Sequence, residues 1–461
     1  MSHKNRMNFI IVILFLSITV VLLLTFGLLP SLGDIKKPKP KKEIKGDKYM
    51  GAGSCASSNC HGAAEPRKRA GIEINQNEFS IWNTYDKHRK AFDVLLEPKS
   101  QRIARNLRLP DPAEDTEECL VCHSTYVPAA LWGKEFDLAD GISCESCHGP
   151  SEKWLGPHTA SDWSYEKSLK LGMYDTKNIF TRAKICVDCH IGDEKRSVDH
   201  EMIAAGHPDI NKFELDTFLA FMPPHWKKTE QTDAWADTEI WGAGQMVALK
   251  QAIEQLARRA DSKAWHDWPE FSEFDCYSCH HNLRDDSWRQ VRGYAETPGI
   301  PPWNASRYVV LRQLANKVSP ELRISLDREI STLSGLLDKL GAGGSEGISS
   351  SAMSVVGLVD SLESDTKGLK FDENFTYELL LGISGDSEYI ANAGVRSAEQ
   401  AAMALESLFF NYSANFHGLN NKQISDAIAG LFDYLERPEN YQPSKFSSRM
   451  RNINQLLKTN R

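Results

Sequence analysis

The C-terminal third of the chain has no cysteine and only one histidine, His417. All ten cysteines lie between residues 55 and 279. Residues 305–461 therefore have no thiol to attach a cofactor and too few histidines for a metal site, and we expect His417 to be a surface or satisfied core residue. The chain also lacks an excess of basic charge, since its net charge is -8. This acidity argues against nucleic acid as a partner and suits a basic protein partner.

The cysteines follow a repeated pattern. Eight of the ten form four C-x-x-C-H motifs, which are Cys119–His123, Cys144–His148, Cys186–His190 and Cys276–His280. This is the attachment signature of c-type haem. Two thiols reach the vinyl groups on one porphyrin edge, and the next residue places an imidazole under the iron, because positions i, i+3 and i+4 share a helix face. Neither zinc sites nor disulfides explain a histidine directly after the second cysteine in every motif.

The two remaining cysteines almost repeat the motif. Cys60 is followed by His61, but Cys55 lies five positions before Cys60 instead of three. The intervening residues are small and polar, so they can bulge without displacing the thiols. A Cys55–Cys60 disulfide remains an alternative in an oxidising compartment, but it would leave His61 unexplained. We favour a fifth attachment site and expect five covalent haems c, each with its iron.

The N-terminus contains a long run without charge. Residues 9–29 form 21 uncharged positions, enough to cross a bilayer as a helix. Lys4 and Arg6 precede the run, as in a secretory signal, but no small-x-small cleavage site follows it. We therefore expect residues 1–30 to remain attached as a signal anchor in a bacterial inner membrane.

The segment after this run, residues 31–50, is rich in lysine and proline. The positive-inside rule would keep such a segment in the cytoplasm. Covalent haem attachment in bacteria takes place after export, however, so the attachment sites require export of everything beyond residue 50. We expect an extended spacer over the acidic membrane surface, with the haem region facing the periplasm or another extracytoplasmic space.

The predicted fold is mainly α and has two regions after the spacer. Residues 51–290 have no fixed-period repeat and are poor in long periodic helices, which predicts short helices and loops around stacked haems. The sequence ETPGIPPWN, residues 296–304, indicates a boundary. Residues 300–461 then form a helical domain, with apolar positions at helical spacing. Its helical patterns cover 305–340, 352–366, 373–384, 397–409, 423–436 and 445–458, with a flexible connection at 341–351.

Seven histidines between residues 62 and 281 lie outside the motifs. Multihaem cytochromes without a catalytic role usually ligate each iron twice, and histidine is a common sixth ligand. Counting alone does not identify which of them bind. They are His88, His158, His200, His207, His225, His266 and His281.

Part of the chain resembles the cytochrome c-554 family of multihaem cytochromes. The resemblance runs from about Met50 to His207. It rests on WNTYDKHRKAF at 82–92, on ECLVCHSTY at 118–126 and on DGISCESCHGPSEKWLGPH at 140–158. The sequence AAGHPDINKFEL, residues 204–215, is similar to larger relatives of this group. The sequence departs from the tetrahaem pattern in the Cys55–Cys60 spacing and in the added motif at Cys276–Cys279.

The resemblance implies a set of ligands. His158 is expected as the distal ligand of the haem on His61, and His88 as the distal ligand of the haem on His148. The haem on His123 is the one left five-coordinate in the tetrahaem family member.

The two downstream haems are less defined by the resemblance. The haem on His190 takes a downstream histidine, for which His207 is the first choice and His200 the second. The partner of the fifth haem, on His280, is not transferable from the family. Its candidates are His225, His200 and His266, with His281 least favoured because it adjoins His280.

Three functions remain open from the sequence. The leading hypothesis is a membrane-anchored cytochrome that carries electrons between redox proteins, such as a membrane quinol oxidoreductase or other cytochromes. The second is an enzyme that reduces or oxidises nitric oxide, hydroxylamine or nitrite at an open haem on His123. The third is that residues 305–461 dock the cytochrome into a larger respiratory complex.

Overall fold

A computed structural model describes residues 45–67, 74–210, 212–226, 234–261, 268–281, 300–339, 345–416 and 421–459. Within these ranges there are helices and loops but no strand, and β-pairing is limited to the isolated bridges Tyr49–Trp132 and Phe274–Trp303. The prediction of a mainly α fold is confirmed. None of the described helices is long and apolar enough to cross a membrane. The predicted span at 9–29, most of the spacer, His266 and His417 lie outside the described residues.

The N-terminal part of the described chain consists of short helices joined by loops. The α-helices have between 5 and 12 residues, and single turns of 3-10 helix lie between several of them. They are α1 Glu78–Tyr85, α2 Pro98–Asn106, α3 Glu117–His123, α4 Cys144–His148, α5 Tyr165–Lys170, α6 Ile179–His190, α7 His200–Ala205 and α8 Leu215–Phe221.

Only small apolar clusters lie among these short helices. One consists of Leu95, Ala104, Ala113 and Leu120. The other is centred on α6 and includes residues 183, 187 and 191. Residues 247 and 248, which lie in the long helix after α8, also contribute to it. Clusters of this size bury too little apolar surface to hold a region of this length together. The arrangement fits a region whose interior is completed by cofactors.

The second part of the chain is a bundle of longer helices. These are α9 Ala236–Ala260, α10 Ser306–Val318, α11 Pro320–Leu337, α12 Ile348–Thr366, α13 Glu373–Gly385, α14 Ser387–Asn392, α15 Val395–Asn415, α16 Asn421–Leu435 and α17 Pro443–Thr459. One continuous apolar core runs through all of them, from Trp241 to Leu457. Burial of this core stabilises the bundle without any cofactor.

Helix α9 differs from what the sequence predicts for residues 51–290. It has 25 residues, whereas this region is expected to contain only short helices. Its sequence gives a weak helical period because α9 is buried on nearly all sides, between α6 and α8 on one face and α10 and α12 on another. Gly244 permits the contact with α8, since a Cβ there would lie 2.5 Å from the Cβ of Leu215. The domain boundary at 290–300 stays a prediction, because α9 shares its core with the C-terminal helices.

The helical patterns of the C-terminal region are found as helices, with one division and one addition. The pattern at 305–340 is two helices, because Ser319 accepts a hydrogen bond from the Leu322 N–H and Pro320 begins α11. The short helix α14 was not predicted. Its six residues span too few turns to show a helical period.

Candidate haem sites

Three of the C-x-x-C-H motifs end a helix. The helices α3, α4 and α6 end at His123, His148 and His190, so each motif occupies the last helical turn. The motif at Cys276 lies in a single 3-10 turn, Cys276–Ser278. No disulfide joins any of the ten cysteines, all of which lie in described segments. Each motif thus presents two thiols and an imidazole from one turn, as the attachment chemistry requires.

The longer loop at Cys55 closes in the same way as a regular motif. The His61 N–H donates to the Cys55 carbonyl at 3.3 Å, and the His280 N–H donates to the Cys276 carbonyl at 2.8 Å. The same bond therefore closes both loops, and the one at Cys55 encloses two more residues. Gly62 permits this closure, because a Cβ at that position would lie 1.9 Å from the Ala56 carbonyl oxygen.

Four pairs of histidine rings face each other from distant parts of the chain. In each pair one ring belongs to a motif and the other does not, and the ring centres are 6.2 to 6.4 Å apart. The pairs are His61 with His158, His190 with His88, His123 with His207, and His280 with His200.

The spacing within these pairs suits one iron between two imidazoles. An imidazole nitrogen binds a first-row metal at about 2 Å, and the ring centre lies roughly 1 Å behind that nitrogen. Two imidazoles on opposite sides of one iron therefore have ring centres about 6 Å apart. A hydrogen-bonded or stacked histidine pair has no reason to repeat this spacing at four motifs. The residues present thus fit the cofactor that the motifs imply.

The pairing differs from the expected one at three haems, those on His148, His190 and His123. His158 lies opposite His61, as the resemblance implies. His88, expected opposite His148, instead faces His190. The physical reason is that the 3-10 turn at 87–90 directs the His88 ring toward the end of α6, where Cys189 is also a close neighbour.

The second difference concerns the histidines around α7. His207, the first choice for the haem on His190, faces His123. The motif histidine expected to lack a distal partner therefore has an imidazole in front of it. His200, a candidate at two haems, faces His280. Helix α7 begins at His200 and ends two residues before His207, so one helix places rings at two sites.

His148 and His225 are neighbours, although not at the spacing of the four pairs. Burial, followed by the charges of His225 and His61, lowers the pKa of His148 to about 4. Burial and the nearby His88 likewise lower the pKa of His190 to about 4. Both rings are therefore neutral at physiological pH, which is the form that binds a metal.

Hydrogen bonds at Nδ1 orient most of the paired rings. The Nδ1 atom of His123 lies 2.8 Å from the Ala91 carbonyl oxygen, and that of His207 lies 2.6 Å from the Pro208 carbonyl oxygen. His158 Nδ1 lies 2.6 Å from the Leu155 carbonyl oxygen. A carbonyl oxygen only accepts, so Nδ1 carries the proton and Nε2 is left to bind a metal.

Two histidines bond a carboxylate instead. His61 Nδ1 lies 2.9 Å from Glu78 Oε2, and His88 Nδ1 lies 3.0 Å from Asp86 Oδ1. Burial opposes ionisation of Asp86, but the hydrogen bonds and charge of His88 outweigh it, so the pKa of the Asp86 carboxyl is lowered. The sequence analysis did not single out Glu78 or Asp86. Asp86 was detectable as an acid two residues before a candidate ligand, whereas Glu78 is 17 residues from His61.

Thiols of different motifs lie next to each other. Cys55 and Cys144 are hydrogen-bond partners, and so are Cys122 and Cys189. Burial, followed by the charge of Cys186, raises the pKa of Cys147 to about 12, so Cys147 and Cys186 connect the motifs of these two thiol pairs. The attachment edges of neighbouring sites are therefore packed together.

Comparisons with known proteins agree with the motifs over part of the chain. Residues 54–149 match the family described as cytochrome c554 and c-prime. A curated relative, cytochrome c-554 of Nitrosomonas europaea (strain ATCC 19718 / CIP 103999 / KCTC 2705 / NBRC 14298), is 33% identical over 89 residues. The match covers 18% of this chain and 37% of that relative. No solved structure matches the chain.

The helical fold and the thiol–histidine motifs define a c-type cytochrome, with covalently bound haem c and iron. Within that class, residues 54–149 are similar to the cytochrome c-554 family, and the match spans 37% of the length of the curated relative. The family resemblance seen in the sequence is confirmed over residues 54–149. The helices α9 to α17 lie outside the matched segment.

Proposed function

We propose that this protein is a five-haem electron carrier in which every iron has two histidine ligands. The observation that carries the proposal is the set of four facing ring pairs, each with one motif histidine. Haem c supplies reversible one-electron chemistry when bound. The chain's own residues would hold the iron from both sides and orient the rings through Nδ1, and burial lowers the pKa of His148 and His190 so that these two rings are neutral.

The fifth ligand pair in this proposal is His148 with His225. The support for it is the proximity of the two side chains. It is also supported by the assignment of the other four distal histidines to other motifs. His225, expected at the haem on His280, is thereby moved to the haem on His148. Ten of the twelve candidate histidines from the sequence then serve as ligands, with a changed pairing, and His266 and His281 do not.

The neighbouring thiols support an order of the five sites. The Cys55–Cys144 contact joins the sites of His61 and His148, and the Cys122–Cys189 contact joins those of His190 and His123. The charge of Cys186 on Cys147 joins the two halves. Helix α7 then links His123 to His280. The proposed path runs through His61, His148, His190, His123 and His280.

An enzyme acting on a small nitrogen compound is less well supported. That hypothesis requires an open iron position at His123, and His207 faces His123 at 6.4 Å between ring centres. An iron with two strong histidine ligands has no free position for nitric oxide, hydroxylamine or nitrite. Electron transfer needs no such position.

Carbon monoxide binding distinguishes these two functions. The dithionite-reduced protein should give no carbon monoxide difference spectrum, because all five irons are six-coordinate. Binding of about one carbon monoxide per protein would show an open haem and favour the enzyme. The His207→Ala variant serves as the positive control for detection of a single open site.

The count of five haems rests on the Cys55–Cys60 site and is tested by mass. The intact mass of the purified protein should equal the chain plus five haems, with thioether bonds at Cys55 and Cys60. A mass for four haems, together with a Cys55–Cys60 disulfide found by peptide mapping, would contradict the fifth site.

The location and partners proposed for the protein follow from its N-terminal sequence and its charge. Residues 9–29 anchor it in a bacterial inner membrane, with the haem region on the periplasmic side, where it exchanges electrons with a quinol oxidoreductase or other cytochromes. Cell fractionation should recover it in membranes and release it only with detergent. A soluble form beginning between residues 31 and 50 would contradict the anchor.

A further inference from the structure

Two of the five haem sites have a carboxylate on one axial histidine. Glu78 accepts a hydrogen bond from His61 at 2.9 Å, and Asp86 accepts one from His88 at 3.0 Å. Both carboxylates are largely shielded from water, since their side chains are 14% and 5% exposed. A charge in such surroundings acts strongly on its neighbours.

These carboxylates are held in place by bonds to the backbone. Glu78 Oε1 accepts from the N–H groups of Asn75 and Gln76 at 2.7 and 3.1 Å, which leaves Oε2 for His61. Asp86 Oδ1 accepts both the Nδ1–H and the backbone N–H of His88, at 3.0 and 2.9 Å. The geometry of each carboxylate is therefore fixed independently of any cofactor.

The site of His123 provides an internal contrast. Both of its rings bond neutral carbonyl oxygens, His123 to Ala91 and His207 to Pro208. A carboxylate raises the basicity of a ligating imidazole more than a carbonyl does, because its negative charge stabilises positive charge on the ring and on the metal. An oxidised iron carries one more positive charge than a reduced one, so a carboxylate favours the oxidised state.

We infer, on the basis of the proposed function, that Glu78 and Asp86 make the haems bound through His61 and His88 the low-potential haems of the protein. The haem bound by His123 and His207 has a higher potential. An electron that enters at either low-potential site then passes to the site of His123. Glu78 and Asp86 are positioning residues, because they act through the histidines and do not touch the haem iron.

The sharper test is Asp86→Asn. Asparagine keeps an oxygen at the position of Oδ1, so it can retain both hydrogen bonds while it loses the charge. We expect the reduction equilibrium of one haem to change about tenfold in favour of the reduced state, the lower end of what partners of metal-bound histidines contribute. For one electron this is about 59 mV upward. The measurement is a potentiometric titration followed by visible and low-temperature electron paramagnetic resonance (EPR) spectra.

Glu78→Gln is the second variant, and Asp137→Asn is the matched control. Glutamine has a single acceptor oxygen, so it cannot serve both His61 and the backbone N–H groups, and a different haem should shift upward. Asp137 accepts only from the backbone N–H of Ala139, at 2.9 Å, and touches no histidine. Its variant changes the net charge equally and should leave every potential in place.

The outcomes separate this inference from the proposed function. The inference alone would be contradicted if all five haems are low-spin and the potentials shift no more in Asp86→Asn and Glu78→Gln than in the control Asp137→Asn. A wild-type protein with an open haem would contradict the proposed function, whatever the variants do. Haem content, measured by alkaline pyridine spectra, should be equal in all variants, which shows that a shift does not come from a lost cofactor.

Discussion

The two regions of this protein hold themselves together in different ways. The helices α9 to α17 enclose one apolar core with many fully buried leucine, isoleucine and valine side chains. The region from residue 47 to α8 has short helices, long loops and small apolar clusters. It compensates with specific hydrogen bonds, such as those from Met50, Gly51 and Ser151 to the buried carboxylate of Glu145, at 2.7 to 2.8 Å.

This difference indicates that cofactors complete the interior of the region before α9. In the proposed arrangement this region of short helices places nine of the ten ligating rings and eight of the ten thiols, which leaves little sequence for an apolar interior. In that arrangement the porphyrins would supply the interior, and their covalent attachment would link distant segments. The helices α9 to α17 would bind no haem themselves. The site of His280 lies in the segment between α9 and α10 and is supported by these helices.

The largest predicted effect comes from removing the haems. The full chain made without haem attachment should lose the structure of residues 47–226, while α9 to α17 stay folded. Hydrogen exchange read by mass spectrometry should show rapid exchange in the first region and protection in α9, α12 and α15. Protection of α1 to α8 in the haem-free chain would show that those helices do not depend on cofactors.

A cavity in the helical core should be the next most costly change. Leu405 of α15 is fully buried, so Leu405→Ala should lower the free energy of unfolding by about 2–5 kcal/mol. The visible spectrum of the native state should not change, since the core lies apart from the ligating rings. Leu369→Ala removes a leucine that is 40% exposed and should have little effect. Thermal unfolding followed by circular dichroism makes the comparison, and equal effects of the two variants would contradict the description of the core.

The contact between the two regions should contribute less. Arg396 of α15 donates to Asp209 near α7 and to Glu399 at 3.0 Å, and it lies over the ring of Tyr277. Because these charged bonds are shielded from water, Arg396→Ala should cost about 2 kcal/mol. Arg451→Ala removes an exposed ion pair with Glu388 and should cost about 1 kcal/mol or less. Chemical denaturation measures both, and an Arg396 effect no larger than the Arg451 effect would show that the contact does not join the regions.

The smallest effect on stability, with a specific spectroscopic result, is expected for His207→Ala. The haem would stay attached through the thiols of its motif and His123, so unfolding should change less than in the variants above. The iron at His123 should become high-spin and bind one carbon monoxide. His281→Ala removes a histidine outside the five proposed pairs and should bind none. If His207→Ala binds no carbon monoxide, His207 is not the distal ligand at His123.

Much of the chemistry could be predicted from the sequence because it depends on local spacing. The motifs, the proximal histidines and the helices after Ser306 follow from residues close together in the chain. The pairing of distal histidines could not be predicted in this way. It depends on where loops place rings, and the family model matches only residues 54–149, which end before the motif at His190.

Helix α9 shows a second limit of sequence reasoning. A helix buried on all sides has no polar face, and Gly242 and Gly244 lower its helix propensity. The reason for the two glycines is the close approach of neighbouring helices, which is visible only in the folded chain. The site carboxylate Glu78 is a similar case, because its partner His61 is distant in sequence and close only in the folded chain.

The central claim, two histidines on every iron, is tested most directly by the EPR spectrum of the oxidised protein. All five haems should be low-spin. The ring planes of His88 and His190 and of His123 and His207 are each at 85°, whereas those of His61 and His158 are at 11°. Crossed planes should give two strongly anisotropic low-spin signals, and the nearly parallel pair should give an ordinary rhombic one. A high-spin signal that integrates to one haem per protein would contradict the account.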